Sequence, residues 1–389
     1  MGVWIELLLF SYFSFAVSYS LVFALAGLFY RTPKFISKPT DHNYQIAVLI
    51  PSYKEDSVIV NVARQALVQS YSKTFYDVIV IADSLQQDTL AELRALDIIV
   101  HEVHFDKSTK VKSLQSVLNT YNKYDLAVIL DADNVMQNDF LEKINLCHNN
   151  GWNAIQGQRT AKNKNTSFAI LDGLSEAIAN HINRQGAIAL GLSSPIIGSG
   201  MAFKFSLLKD VIDTIDSIGG FDKELQLKIL ESNTKIHYLK DGIVLDEKVD
   251  SPEVFENQRK RWMSSHYIYF KKFFFKGMKS LFNGNLSIFN IAILYNIQLP
   301  RMMNLGLLSV VALLSIGLRN ILHIHFGYWF LLLALYGLSF LIAIPSSYLN
   351  KSFFKALLTA PKAFVTIFSL HFKLKGANKK FIHTPHKQQ

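Results

Sequence analysis

The sequence predicts an α/β domain with a doubly wound, mostly parallel sheet, placed between apolar helices at the two ends of the chain. Between residues 40 and 260, short Val/Ile/Leu-rich runs alternate with helical patterns, which is typical of parallel sheets. Across the 389 residues, half are hydrophobic and only 18% are charged, whereas soluble domains carry about a quarter. The shortage of charge indicates contact with lipid and excludes a disordered chain.

The first apolar run, residues 3–30, is long enough to span a bilayer, which takes about 20 residues. Its single charge is Glu6. The alternative is a cleaved signal peptide, but no basic residue precedes the run and several follow it, beginning with Arg31. We therefore predict that residues 1–30 are a transmembrane anchor that starts outside and enters the cytoplasm at residue 31.

Residues 31–263 are predicted to form a cytoplasmic domain, because their polarity after residue 40 is that of a soluble protein. The predicted strands are nearly continuous apolar runs, as expected for strands buried on both faces; they lie at 45–52, 77–84, 97–103 and 126–133. The predicted helices lie between and after them, near 57–70, 86–95, 108–122 and 138–148.

Acidic side chains follow three of these strands: Glu55 the first, Asp83 the second, and Asp131 and Asp133 the fourth. Because carboxyl ends of parallel strands share one edge, where ligands bind, we expect these side chains to converge. No GxGxxG motif follows the first strand and no GxxxxGK[ST] motif occurs, which argues against a dinucleotide fingerprint and a P-loop. A metal ion is then the obvious source of positive charge for a nucleotide's phosphates.

Asp131 and Asp133 suit a hard cation such as Mg²⁺, which takes oxygen ligands from carboxylates and substrate phosphates. The alternative is a turn or a helix cap, where Asp is also common. Asp83 either caps the next helix or accepts hydrogen bonds from a base or a ribose. Lys112 either covers phosphate charge or is simply solvated.

Two segments of the later domain are also candidates. Asp222 and Glu224 follow a di-glycine, and Asp222 is either an N-cap or a base that takes a proton from a hydroxyl group. Gly198, Ser199 and Gly200 form either a tight turn or a loop whose backbone approaches a ligand closely.

The segment QRKRW lies at the junction of the domain with the next apolar region. It is either a basic membrane flank with an aromatic anchor or a binding site. In the second case Gln258 and Arg261, one helical turn apart, hold a diphosphate with the neighbouring Arg259, because guanidinium donors are forked. Trp262 then supplies a ring for an acceptor sugar.

The C-terminal third is predicted to return to the membrane. Residues 264–290 mix aromatic residues with lysines, which suits an amphipathic helix in the headgroup layer. Residues 291–350 are predicted to hold two transmembrane helices, near 297–318 and 326–349, joined by an outward-facing link. Residues 351–389 are predicted to form a second interfacial helix and a basic cytoplasmic tail. The alternative for both interfacial segments is a short buried core helix.

The net charge is +10, from 40 basic and 30 acidic side chains. Basic excess suits nucleic acid, anionic lipid or a phosphorylated substrate. Here the basic residues crowd beside apolar runs, as on cytoplasmic flanks of membrane segments, and none coincides with a nucleic-acid recognition motif. We therefore predict an integral protein of the inner or plasma membrane that contacts lipids and no nucleic acid. The single cysteine, Cys147, excludes an intramolecular disulfide.

The motifs PSYKE, VIVIAD, a following lysine, LDAD, GSGMAF, FDKEL and QRKRW occur in this order over residues 50–262. This order resembles the membrane-embedded family 2 glycosyltransferases, which include cellulose, chitin and hyaluronan synthases. The resemblance implies a GT-A-type fold, a nucleotide-diphospho-sugar donor such as a UDP-sugar, Mg²⁺ or Mn²⁺, and inversion at the anomeric carbon. It also implies transfer of a hexosyl or N-acetylhexosaminyl group to a glycan or lipid-linked acceptor, in cell-surface polysaccharide synthesis. Export or synthase proteins would then be partners.

By this resemblance, Asp83 contacts the uridine and Asp133 ligates the metal with Asp131 nearby. Gly220 and Phe221 replace the first two residues of the usual TED motif, so the base is Asp222 or Glu224, and we favour Asp222. The remaining residues that the resemblance and the motifs assign to substrate binding are Pro51, Tyr53, Glu55, Lys112, Gly198, Ser199, Gly200, Gln258, Arg259, Arg261 and Trp262.

Two other functions stay open at this point. QxxRW favours extension of a glycan chain, whereas the small membrane part favours transfer of a single sugar to a membrane lipid. A metal-dependent nucleotidyltransferase also uses paired aspartates, but it has little need for QRKRW at a membrane junction.

Overall fold

The computed structural model describes residues 2–35, 38, 41–217, 219–249 and 252–370. The predicted basic tail, and the end of the predicted interfacial helix beyond residue 370, lie outside these ranges.

Within the described residues, eight strands form one sheet in the order β3-β2-β1-β4-β7-β6-β8-β5. The strands are β1 Ile46–Tyr53, β2 Tyr76–Asp83, β3 Ile99–Val103, β4 Leu126–Ile129, β5 Val135–Met136, β6 Ala154–Ala161, β7 Met201–Lys204 and β8 His237–Asp246. The four predicted strands correspond to β1 to β4.

The helices of this domain are α2 Ile59–Ala66, α3 Gln87–Arg94, α4 Lys110–Thr120, α5 Phe140–Asn149, α6 Ser167–Ala179, α7 Ala187–Ala189, α8 Phe205–Ile212 and α9 Phe221–Glu231. A π-helical segment, Asn180–Gly186, joins α6 to α7, and a short 3-10 helix, Lys73–Phe75, precedes β2. The four helices predicted among the first strands correspond to α2 to α5.

The sheet is mixed rather than mostly parallel. Strands β3, β2, β1 and β4 run parallel, as predicted, and so do β6 and β8. However, β7 is antiparallel to both β4 and β6, and β5 is antiparallel to β8. The apolar pattern of a buried strand does not encode the direction of its neighbours, because both arrangements bury the same side chains.

Helices cover both faces of the sheet, as the doubly wound prediction requires. Neighbouring residues of one strand enter different cores: Leu49 packs in a cluster with residues of α4, α8 and α9, whereas Val48 packs in a cluster with residues of α2, α3 and α5. Both side chains are fully buried. This explains why the strands are continuously apolar, since neither face meets water.

The remaining helices flank the domain in sequence. They are α1 Gly2–Leu28, α10 Pro252–Phe282, α11 Leu286–Phe289, α12 Tyr295–Ile297, α13 Arg301–Gly317, α14 Phe326–Ala343, α15 Lys351–Leu357 and α16 Ala360–Leu370. A π-helical segment, Asn290–Leu294, joins α11 to α12. Helix α10 runs without a break across the predicted boundary at residue 263.

Among the described residues, three helices are long and apolar enough to cross a membrane: Val3–Leu28, Phe326–Ala343 and Lys351–Leu370. The pair Leu286–Ile297 and Arg301–Gly317, bent by 49°, passes the same test only when taken together. The span predicted at 297–318 thus coincides with the second half of a bent pair. The segment predicted to lie in the interface from residue 352 is itself long enough to span.

The start of α1 and the α13–α14 link lie at the same end of the helical bundle. The buried carboxylate of Glu6 accepts hydrogen bonds from the backbone N–H groups of His323 (2.9 Å) and Ile324 (2.8 Å). The α/β domain follows the other end of α1.

Candidate active site

The ends of β1 and β2 form one corner of the site. Tyr53 and Asp83 are paired in register, and the residues that follow them, Lys54 and Ser84, have φ angles of 57° and 58°, in the left-handed region that non-glycine residues seldom adopt. Asp83 is 1% exposed. Its Oδ1 accepts a hydrogen bond from Ser84 Oγ (2.9 Å).

The other oxygen of Asp83, Oδ2, is buried with no hydrogen-bond partner among the described residues. A buried acceptor without a donor is costly, so this corner suits a ligand that brings an N–H or O–H group. Two other predicted residues lie nearby in the chain: Pro51, within β1 beside Ile81, and Glu55, which is 9% exposed.

The Asp131-Ala132-Asp133 segment forms a turn rather than the end of the predicted fourth strand. Strand β4 ends at Ile129, and Asn134 N–H donates to Asp131 O (3.1 Å) across the turn. The Asn134 side-chain amide donates to Asp133 Oδ1 (3.1 Å) and to Asp246 Oδ1 (2.9 Å). Asp246, the last residue of β8, is therefore a third carboxylate beside the turn, and no motif in the sequence singled it out.

The Gly198-Ser199-Gly200 loop supports this turn. Ser199 Oγ accepts from the N–H of Asp131 (2.9 Å) and donates to Asn134 Oδ1 (2.6 Å). Gly198 and Gly200 have φ angles of 86° and 64°, which favour glycine. The loop thus holds the backbone N–H of Asp131 and the side chain of Asn134, and it is a tight turn as well.

The lysine that reaches the site is Lys110, the first residue of α4. Its Nζ forms an ion pair with Asp131 and donates to Gly198 O (2.8 Å). The Nζ of Lys112 donates instead to Lys107 O (3.2 Å). Two positions along a helix rotate a side chain by about 200°, so only one of the two lysines can face the sheet edge. The sequence pattern predicts Lys112 instead of Lys110, because the exact start of a helix is not encoded by its pattern.

Asp222 lies in the first turn of α9, against Gly198: a Cβ atom at Gly198 would be 3.9 Å from Asp222 Cβ. Burial raises the pKa of Asp222, while the charges of Lys223 and Lys110 oppose this rise. The charge of Lys110 thus acts on this carboxyl group, which still holds a proton more readily than an ordinary aspartate.

Glu224 has a different environment, although it lies only two residues further along α9. Its side chain is 3% exposed, and its Oε1 accepts from Lys272 Nζ (2.8 Å) on α10. The ion pair ties Glu224 to the neighbouring helix and stabilises its charged form. This favours Asp222 over Glu224 as the base.

The QRKRW residues occupy the beginning of α10. Burial lowers the pKa of Arg261, and the nearby carboxylates of Asp131 and Asp222 oppose this, so Arg261 belongs to the same cluster. Arg259 instead forms an ion pair with Asp172 on α6, with its guanidinium 4.5 Å from the centre of the Trp262 ring. Trp262 is 39% exposed, and Gln258 Oε1 is buried without a hydrogen-bond partner among the described residues.

A family profile described as glycosyltransferase like family 2 matches residues 42–265. The match covers more than half of the chain, from just before β1 to the first part of α10. The chain belongs to this glycosyltransferase family 2. The matched residues include every predicted site residue. A comparison with curated protein sequences finds no match.

Solved structures of other glycosyltransferases are similar to this family 2 chain. The mannosyltransferase PcManGT from Pyrobaculum calidifontis, solved with GDP-Man and Mn²⁺, is 14% identical with a TM-score of 0.53, over 93% of this chain and 98% of that one. Glucosyl-3-phosphoglycerate synthase from Mycobacterium tuberculosis, solved with Mn²⁺, UDP-glucose and phosphoglyceric acid, is 15% identical with a TM-score of 0.42, over 61% and 86%. TarS from S. aureus is 16% identical with a TM-score of 0.38, over 56% and 38%.

The likeness to PcManGT shows a shared fold that extends beyond the family match to the flanking helices, since it covers nearly the whole of both chains. The prediction of a GT-A-like α/β fold for a glycosyltransferase is confirmed. The prediction of Mg²⁺ or Mn²⁺ agrees with the Mn²⁺ in the PcManGT structure.

Proposed function

We propose that this chain is a membrane-bound, inverting glycosyltransferase that moves a sugar from a nucleotide-diphospho-sugar to a glycan or lipid-linked acceptor. One observation carries the proposal: Lys110 joins Asp131 to Gly198, and Asp222 packs against Gly198. Two neighbouring carboxylates, a lysine suited to phosphate and an aspartate whose pKa is raised by burial thus meet at one sheet edge, where ligands of such folds bind.

The residues present fit a divalent metal. Mg²⁺ is usually held by one or two carboxylates together with substrate phosphates, and Asp133 and Asp131 supply two. Within the described part of the chain, no group of three or more His, Cys, Asp or Glu side chains has the geometry of a complete metal site, so the donor's phosphates would complete the coordination. When bound, such an ion stabilises the charge that develops on the departing diphosphate.

The cations of the site bind and orient the same diphosphate. Lys110 contacts Asp131, and the charge of Arg261 lies within range of Asp131 and Asp222. Both side chains therefore lie where a diphosphate bound beside Asp131 would find them. The guanidinium of Arg261 suits two phosphate oxygens at once, whereas Lys110 acts as a point charge.

Asp222 acts as the base that removes the proton from the acceptor hydroxyl. A diphosphate departs as a stabilised anion, so no leaving-group acid is needed, unlike in a glycosidase, which uses two carboxyl groups. A single base then suffices. Displacement of the diphosphate by the deprotonated hydroxyl inverts the configuration at the anomeric carbon.

The apolar helices support a membrane location with the catalytic domain in the cytoplasm. Up to four helical segments of the described chain could cross a bilayer, and α10 carries QRKRW directly into this bundle. An acceptor held in the membrane would explain why the site adjoins it. The same proposal includes a role in cell-surface polysaccharide synthesis, with an export partner. The second candidate function is transfer of one sugar to a membrane lipid, because the helical bundle is small.

A panel of labelled UDP- and GDP-sugars, incubated with membranes that contain the protein, tests the proposal. We expect one donor to release its nucleoside diphosphate in a Mg²⁺- or Mn²⁺-dependent reaction. The length of the product, measured by mass spectrometry, then separates chain extension from single transfer. Release of pyrophosphate from a nucleoside triphosphate would instead identify a nucleotidyltransferase and contradict the proposal.

Lys110→Met is expected to lower kcat/KM by about 10- to 100-fold, because one charge-assisted hydrogen bond to phosphate is worth about 1.5–3 kcal/mol. The matched control is Lys112→Met on the same helix, whose Nζ contacts Lys107 O and which should stay within about twofold of the wild type. Initial rates of nucleoside diphosphate release compare the two. Equal losses in both variants would show that the helix, and not the Lys110 ammonium group, matters.

A further inference from the structure

Three arginines, one of them buried and two partly buried, lie beside the proposed active site, where it adjoins the apolar helices. They are Arg184 in the π-helical segment, Arg259 in α10 and Arg301 at the start of α13, and we call them the arginine cluster. Arg184 is 3% exposed. All three side chains contact the stretch 172–180: Arg259 pairs with Asp172, Arg301 donates to Ser175 O and Arg184 donates to Asn180 Oδ1. The three guanidinium groups therefore lie in one region.

Three described carboxylates near this cluster already form ion pairs. Asp172 pairs with Arg259, and Glu176 and Asp246 both contact Arg159 and Lys248. Counting the three arginines with Arg159 and Lys248 gives five cations for these three carboxylates. Among the described residues, neither Arg184 nor Arg301 has an ion pair, although Glu176 is near Arg184.

The hydrogen bonds of the cluster are also incomplete. Arg184 donates to Asn180 Oδ1 (2.7 Å), and Arg301 donates to Ser175 O (3.1 Å). The Nε atoms of Arg184 and Arg259 are buried and have no partner among the described residues. A buried guanidinium with unpaired donors and no counter-charge is unfavourable, so the region is suited to an anion.

The position of the cluster indicates that such an anion would belong to a molecule held among the apolar helices. The segment with Arg184 touches α1, since a Cβ at Gly186 would be 2.2 Å from Phe23 O. Arg301 opens a helix of the bent apolar pair, and Asn304 on this helix accepts a hydrogen bond from Tyr12 on α1 (2.8 Å). Arg259 stacks on Trp262, beside the site residue Arg261. The cluster therefore connects helices suited to a bilayer with the sugar-transfer site.

We propose that the arginine cluster binds the phosphate headgroup of a lipid acceptor or lipid-linked glycan, and so presents the acceptor to the site. This inference rests on the proposed function and names the class of its acceptor. Forked guanidinium donors match phosphate oxygens, and a headgroup held here would keep its lipid chain among the apolar helices. A free phosphate has the same chemistry but gains nothing from those helices.

Titration of the purified full-length protein with hexadecyl phosphate, followed by native mass spectrometry, tests the inference without any transfer reaction. We expect hexadecyl phosphate to bind and hexadecanol not to bind. Arg301→Gln and Arg184→Gln should each weaken hexadecyl phosphate binding by about tenfold or more, as expected for a lost charged hydrogen bond. Arg301→Lys should retain part of the affinity, because the charge remains.

The control is Lys276→Gln, which removes a cation of α10 that pairs with Glu231 away from the cluster and should bind hexadecyl phosphate as the wild type does. Thermal unfolding without ligand separates binding from structure: removing a charge that has no ion pair among the described residues should not lower the unfolding midpoint. A lower midpoint in both Gln variants, equal hexadecyl phosphate affinity in all variants, or equally tight binding of inorganic phosphate would overturn the inference.

Measuring donor affinity distinguishes a failure of this inference from a failure of the proposed function. Calorimetry with Mn²⁺ and the nucleoside diphosphate of the donor should give the same affinity for Arg301→Gln and the wild type. If hexadecyl phosphate binding depends on Arg301 but no nucleotide sugar is ever turned over, the function fails while the anion site stands. If transfer proceeds and hexadecyl phosphate does not bind, the inference fails alone.

Discussion

Asp222→Asn is expected to abolish sugar transfer while donor binding stays near the wild-type level. Loss of a general base costs about 10²- to 10⁴-fold in rate, and Asn keeps the shape of the side chain beside Gly198 without its basicity. Single-turnover rates of nucleoside diphosphate release measure the first quantity, and calorimetry with the donor and Mn²⁺ measures the second.

Glu224→Gln is the matched control for this variant, two residues away on the same helix. It removes the partner of Lys272, so we expect a less stable protein with turnover close to that of the wild type. The opposite pattern, with transfer retained in Asp222→Asn and lost in Glu224→Gln, would assign the base to Glu224.

The pH dependence of transfer provides a second measure of Asp222. Burial raises its pKa, so the base form is lost as pH falls through that raised value. The acid limb of kcat/KM should therefore lie above the usual aspartate value of about 3.9. The residual activity of Asp222→Asn should lack this limb, whereas a limb at the same pH in both proteins would belong to another group.

Asp133→Ala is expected to remove most of the metal-dependent part of donor binding. Asp133 is 7% exposed, beside Asn134 and the Asp246 carboxylate that Asn134 also contacts, so no other side chain can take its position without rearranging the turn. Losing one carboxylate ligand of a bound ion should weaken donor affinity at least tenfold in the presence of Mn²⁺. Titrations with and without Mn²⁺ measure the difference.

The control is Asp139→Ala, an aspartate six positions along, whose carboxylate pairs with Lys143 (2.7 Å) and which should leave the metal dependence unchanged. Equal donor affinity of the wild-type protein with and without metal would refute the metal role of the Asp131–Asp133 turn altogether.

The sequence by itself determined the elements that depend on local pattern. The buried strands β1 to β4, the helices between them and the apolar α1 were predicted close to their observed bounds, because continuous apolar runs and helical periodicity reflect burial directly. The sequence also determined the family, because the order and spacing of the acidic motifs and QRKRW are properties of the sequence itself. The predicted sheet edge placed Asp83, Asp131 and Asp133 at the carboxyl ends of parallel strands, whereas Asp222 and Arg261 were assigned by their motifs and the resemblance.

Only the tertiary structure decided how the sheet closes and which side chains enter the site. The antiparallel β7, the choice of Lys110 over Lys112, the pairing of Glu224 with Lys272 and the three arginines without enough carboxylates all depend on segments far apart in the chain. A local pattern records whether a residue is buried, but strand direction, helix rotation and charge balance are set by the partners that packing brings together.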